Sequence, residues 1–245
     1  MAIFLYTDFG TGDIYVGQVK AALHHHAPGI PVIDLLHQAP AFNPRANAHL
    51  LAALTRHLPH RAVVMAVVDP GVGSARRPIA VRAANRWFVG PDNGLLSVLA
   101  ARARQVEIYT ILWRPAALSS SFHGRDLFAP FAGMLAQEAL PADAMAVQSE
   151  LDVRLGGDDL AEIVYIDHFG NAMTGLRAEN VARQRALMVD SRTIRYAQVY
   201  SEVDPGELFW YENSIGLVEI ASNAASAADA LQLRVGQPVL LAQTD

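Results

Sequence analysis

Val67-Val68-Asp69-Pro70-Gly71-Val72-Gly73-Ser74-Ala75-Arg76-Arg77 joins the end of an apolar run to an acid, a glycine-rich turn and two arginines. The apolar run that leads into it, Ala62 to Val68, predicts a buried strand. Ligands of open α/β sheets bind beyond the carboxyl ends of the strands, and Asp69 stands at such an end. Pro70 and two glycines fix a tight loop behind it, so a carboxylate and two guanidiniums share one short segment. The residues alone leave two readings open: an Asp–Arg pair bracing a turn, or charges that face a ligand.

The same grammar extends outward. Ile3 to Tyr6 and Val32 to Leu36 read as strands; Tyr15, Val19 and Leu23 recur at helical spacing before Pro28-Gly29, and Pro44 opens a helix to about His57. Downstream, Ile79–Arg82, Trp87–Val89 and Gln105–Tyr109 read as short strands, Leu95–Ala103 as a helix after the Asn93-Gly94 turn, and Leu127–Leu140 as a helix despite Pro130. This alternation predicts an N-terminal three-layer α/β domain with a mainly parallel sheet over residues 1–150. Pro, Asp and Gly accumulate at about 141–159, which reads as a linker. Beyond it, short apolar runs at Ile163–Ile166, Ala186–Val189, Thr193–Tyr196, Leu208–Tyr211, Gly216–Ile220 and Val239–Leu241 alternate with turn residues. They predict a smaller C-terminal antiparallel β-barrel domain over 158–245.

Composition excludes several classes. Across 245 residues, 52% are hydrophobic and 18% charged, enough to build a core and too apolar for a disordered chain. A net charge of −5 without a basic block argues against a nucleic-acid partner. There are no cysteines, hence no disulfides or thiolate metal sites. The first residues lack the pattern of a signal peptide, and no apolar run approaches the roughly 20 residues of a membrane span. A cytoplasmic protein with no membrane partner is expected.

Asp8 and Asp13 flank Gly10-Thr11-Gly12 where a dinucleotide fold would carry its glycine fingerprint. Carboxylates repel phosphate, so these suit ribose hydroxyls or a cationic ligand; the alternative is that they shape a turn or cap the following helix. His123, in Ser119-Ser120-Ser121-Phe122-His123-Gly124-Arg125-Asp126, is a base near neutral pH or a surface histidine, and Arg125-Asp126 reads as a cap and ion pair. Asp167-His168-Phe169-Gly170-Asn171 offers a carboxylate, an aromatic face and an amide in five residues. Asn213 to Glu219 and Asn223 to Ser226 are similar polar punctuation. His24-His25-His26 ends a helix, where successive side chains diverge and meet the dipole, so no metal is expected.

Taken together, six of these words resemble the S-adenosylmethionine hydroxide adenosyltransferases, kin of the S-adenosylmethionine-dependent fluorinase and chlorinase. They are Thr7-Asp8-Phe9-Gly10, Val68-Asp69-Pro70-Gly71-Val72-Gly73, Pro91-Asp92-Asn93-Gly94, Phe122-His123-Gly124-Arg125-Asp126, Asp167-His168-Phe169-Gly170-Asn171 and Asn213-Ser214-Ile215-Gly216, in family order along nearly the whole chain. The resemblance implies an α/β domain, a C-terminal barrel and a homotrimer with sites at subunit interfaces. It also implies that water displaces methionine from C5′ of S-adenosylmethionine, with Asp69, Arg76 and His123 as catalytic triad, Arg76 rather than the adjacent Arg77 resting on its offset from Asp69. In the same way Asp8 and Asp13 match ribose contacts, Asn171 and Asn223 the adenine end, and Asp167, Ser214 and Glu219 the methionine portion. Phe42 matches a ring beside the nucleoside, and Phe169 joins the binding set. Ile215 departs from the pattern, since halogenating relatives carry arginine there. No cofactor is implied, because S-adenosylmethionine is the substrate. Two alternatives stand beside hydrolysis. A halogenase would have to bring a halide to Asp69, and a non-catalytic nucleoside binder would need none of the triad.

Overall fold

A computed structural model describes residues 1–242. They form two compact units, one made of residues 1–52 and 58–157, the other of 53–57 and 158 onward. In the first, β1 (Ile3–Thr7), α1 (Ile14–His26), β2 (Val32–Leu36), α2 (Pro44–Leu54) and β3 (Val63–Val67) follow in turn. After these come β4 (Pro78–Ala83), β5 (Arg86–Pro91), α3 (Ser97–Arg102), β6 (Val106–Ile111), a π-helical turn (Gly124–Phe128), α4 (Ala129–Ala136) and β7 (Met145–Gln148). The seven strands order as β2-β1-β3-β5-β4-β6-β7.

The expected mainly parallel sheet is corrected to a mixed one. β2, β1, β3 and β5 run parallel, but β5–β4, β4–β6 and β6–β7 are antiparallel. The cause lies in a two-residue link. Parallel neighbours need a crossover of a dozen or more residues, whereas Ala83 pairs with Arg86 across Ala84 and Asn85 alone. Both turn residues have positive φ, 49° and 58°, the tight turn that matches strand twist.

β1 and β3 are buried at every position, as central strands covered on both faces must be. On one face Ile3, Leu5, Val63 and Met65 pack against Leu23 of α1 and Phe131 of α4; each fully buried side chain of this size contributes about 1.5–3 kcal/mol. Toward α2 the Tyr6 hydroxyl donates to Asn47 Oδ1 at 2.6 Å. Pro130 sits in the first turn of α4, directly after the π-helical turn, where a proline is tolerated.

The second unit holds β8 (Leu160–Ile166), β9 (Ala172–Arg177), β10 (Leu187–Val189), β11 (Arg192–Tyr196), β12 (Leu208–Glu212), β13 (Leu217–Ser222), α5 (Ala227–Leu231) and β14 (Leu240–Leu241). Its sheet orders as β14-β10-β11-β12-β13-β9-β8, antiparallel except for β11–β12. The ends nearly meet: Ile163 N–H donates to Gln237 O and Gly236 N–H to Ile163 O, at 2.9 and 2.8 Å, just before β14. The result is close to a barrel around a fully buried Trp210. Among the described residues no helix is long and apolar enough to cross a membrane.

Candidate active site

β3 ends in Val67, and Asp69 begins the loop beyond it. Arg76 returns to that carboxylate, Nε donating to Oδ1 at 2.8 Å and Nη2 to Oδ2. Both side chains are buried, at 9% and 4% exposure, so this is a desolvated two-point clamp rather than a surface pair. Arg76 Nη2 also lies 3.2 Å from His123 Nδ1. A guanidinium has only donors. Nδ1 therefore presents its lone pair, and the neutral imidazole carries its hydrogen on Nε2. Burial first, and then the Arg76 cation, hold the His123 pKa below its ordinary 6.5, with Asp69 opposing them.

Two glycines make this approach possible, each for a protein contact. Gly73 has φ +81°, and a Cβ there would stand 2.5 Å from the Ser120 carbonyl oxygen, so the Asp69 loop packs directly on the His123 loop. A Cβ on Gly124 would come 2.9 Å from the Phe9 ring. Arg77 turns the other way, donating to Asp152, Gln148 and Asp92. Arg76, not its neighbour, joins Asp69 to His123.

Asp69 and His123 line a cavity of about 370 Å³ together with Asp8, Asp13 and Phe42. Asp8 follows β1 and accepts from the Phe42 amide at 3.4 Å. Burial raises its pKa; the Phe42 amide opposes and the Asp69 charge adds. Phe42 holds φ +59° with its ring 77% exposed. Asp13 caps α1, accepting from Ile14 N–H at 2.9 Å, while also facing the cavity. Phe9, Tyr15 and Phe122 complete the wall, their rings tilted or edge-to-face at 5.4–5.9 Å. Phe9 and Phe122 lie inside the quoted words, but only the fold shows that the three rings converge.

The remaining candidates belong to the second unit. Asp167 spends its carboxylate on the turn it opens: Oδ1 accepts from Phe169 and Asn171 N–H at 2.9 Å, and Oδ2 from Asn171 Nδ2 at 3.0 Å. Phe169 and Asn171 line a depression with Tyr200, Ser222 and Ala224. Asn223 Nδ2 donates to Val203 O at 2.8 Å. Glu219 is buried; its oxygens accept from Tyr211 Oη at 2.6 Å and Asn213 Nδ2 at 2.7 Å, and burial raises its pKa. Asn213 Oδ1 in turn holds the Ile215 and Leu217 amides at 3.1 and 2.9 Å, leaving Ser214 exposed between them. No three His, Cys, Asp or Glu among the described residues are grouped to hold a metal.

The SAM hydroxide adenosyltransferase N-terminal domain matches residues 3–145, and that family's C-terminal domain matches 161–240. The chain belongs to the S-adenosylmethionine hydroxide adenosyltransferase family. Within its circle of relatives, an "(R)-S-adenosyl-L-methionine hydrolase" from Salinispora arenicola is 41% identical, covering 94% of this chain and 93% of that protein. A fluorinase from Actinoplanes sp. stands farther off, at 26% identity over 95% of this chain and 94% of its own length. The crystal structure of an uncharacterized conserved protein from Thermotoga maritima superposes with a TM-score of 0.89 at 31% identity, covering 99% of this chain and all of that one. The Asp69–Arg76–His123 cluster is thus a feature of a hydroxide adenosyltransferase chain.

Proposed function

We infer that this chain hydrolyses S-adenosylmethionine to adenosine and methionine, and that Asp69, Arg76 and His123 hold the attacking water. The observation that carries the catalytic assignment is the three-residue contact at one end of an acidic, aromatic-walled cavity. The water oxygen bonds to C5′ as the C5′–S bond breaks. Sulfur keeps the bonding pair and departs as a neutral thioether, and the water gives up one proton. No general acid and no Lewis acid is required, so we propose a reaction without cofactor.

Each group has a defined share in this reading. His123 Nε2–H donates to the water and leaves its other lone pair for C5′. Asp69 oxygens keep lone pairs outside the Arg76 clamp and accept the water's hydrogen, the route by which the proton leaves. Alignment of this kind contributes at most about 7–11 kcal/mol. The rings of Phe9, Tyr15 and Phe122 and the carboxylates of Asp8 and Asp13 favour a sulfonium cation over a phosphate. We assign Asp8, Asp13 and Phe42 to the ribose side. Asn171, Asn223 and Phe169 go to the adenine end, and Asp167, Ser214 and Glu219 to the methionine end, the last through Asn213. A homotrimer with sites at subunit interfaces is part of the same proposal, supported by the outward rings of Phe42 and Phe169, 77% and 74% exposed.

Chromatography of the products, with each sulfonium epimer and with or without EDTA, fluoride or chloride, tests the reading. Adenosine in equal yield under all salt conditions is expected, faster with the R epimer that the relative's name specifies. A 5′-halo product instead establishes the halogenase, and binding without turnover establishes the non-catalytic binder.

A further inference from the structure

Pro91-Asp92-Asn93-Gly94 is a motif that the chemistry above leaves without a task. It follows β5, the strand beside β3, and none of its residues lines the cavity. Its polar atoms reach both ends of the loop that carries Asp69 and Arg76. At the front, Asn93 Nδ2 donates to the carbonyl oxygen of Val68, the residue before Asp69, at 2.8 Å. Asn93 Oδ1 meanwhile accepts from Leu95 N–H at 3.2 Å, which fixes the way the amide faces. At the back, Asp92 N–H donates to the carbonyl of Arg77, the residue after Arg76, at 2.9 Å. Arg77 Nη2 returns a charge-assisted bond to Asp92 Oδ2 at 2.8 Å, and the Asp92 side chain is 1% exposed.

We propose that Asn93 and Asp92 are positioning residues for the catalytic pair, one dipeptide clasping both ends of the 69–76 loop so that Asp69 and Arg76 meet in register with His123. This rests on the hydrolase reading. Within the loop itself the backbone is tied by Val72 N–H to Asp69 O and Ser74 N–H to Gly71 O, at 3.2 and 3.1 Å, and by Arg76 N–H to Ser74 Oγ at 3.4 Å. Those shape the turn but leave its ends to the clasp. Displacements of about an ångström cost reactions of this kind on the order of 100-fold. A loosened clasp therefore lowers turnover while leaving the substrate contacts in place.

Asn93→Asp keeps size but turns an acceptor toward the Val68 carbonyl; Arg77→Gln removes the charged bond to Asp92 at the far end and leaves the backbone bond there in place. Val81→Ala, at a buried site on β4, serves as the control for general destabilisation. Two quantities are read in each variant: kcat and KM for S-adenosylmethionine, and the imidazole titration of His123 by NMR. Both clasp variants are expected to lower kcat at least about tenfold with KM within about twofold, and to move the His123 titration up toward 6.5 as Arg76 withdraws. Val81→Ala is expected to move neither. A kcat within about twofold of wild type in both clasp variants, or a loss no larger than in Val81→Ala, overturns the proposal. If the wild type forms no adenosine, the hydrolase reading fails by itself, and an unmoved His123 titration separately overturns the clasp.

Discussion

Arg76 donates to a carboxylate and to an imidazole at once, so its replacement by lysine removes more than a charge. An ammonium is a point donor and cannot span two oxygens and a ring nitrogen in one plane. Arg76→Lys is expected to lower kcat/KM at least about tenfold, measured as adenosine formed under steady state. The same contact sets the pH dependence. A histidine whose pKa is pushed below 6.5 stays neutral down to lower pH, and protonation then places hydrogen on Nδ1 and expels Arg76. The fall of the rate profile on acidification is expected to be centred below pH 6.5; a fall centred above that value contradicts the assignment. Asp69 and His123 each lie inside one of the quoted words, whereas Arg76 lies in none of them. Between Arg76 and Arg77 the sequence offered only an offset matched to relatives; the contacts to Asp69 and His123 distinguish them, because adjacent loop residues point apart. The Phe9–Tyr15–Phe122 wall was not legible, because rings in a loop look the same whether they face a core or a cavity.

At the scale of elements, the β2-β1-β3 part of the first sheet could be read from its helical crossovers, and the strands beyond it could not be ordered that way. The β4–β5 turn uses Ala84-Asn85 rather than the Asn-Gly or Asp-Gly pairs that announce such hairpins. β7 was hidden in a polar segment as an edge strand with Val147 outward, and β9 by Gly175 in its middle. That glycine is required: a Cβ would come 2.6 Å from Leu160 Cβ on the neighbouring strand. Gly73 has a like role between loops. Gly73→Ala meets both the positive φ and the Ser120 carbonyl. It is expected to cost about 1–3 kcal/mol by thermal or denaturant unfolding, and to reduce kcat beyond that loss because Arg76 is carried away from His123.

For the molecule as a whole, two units with separate cores, one a mixed sheet between helices and the other a nearly closed barrel, divide the candidate residues between them. Light scattering is expected to give about three times the 26.5 kDa chain mass; a monomer mass removes the assembly from the proposal. The packing of Gly73 on the Ser120 backbone has a bearing on protein engineering as well. Neither loop stands alone: each fits against the other, and the first is also held at its ends by Asn93 and Asp92. Transplanting this chemistry onto another α/β scaffold therefore means moving residues 68–77, 92–93 and 119–124 as a single graft. A library that diversifies one of them alone searches mostly among chains in which the arginine and the histidine never touch.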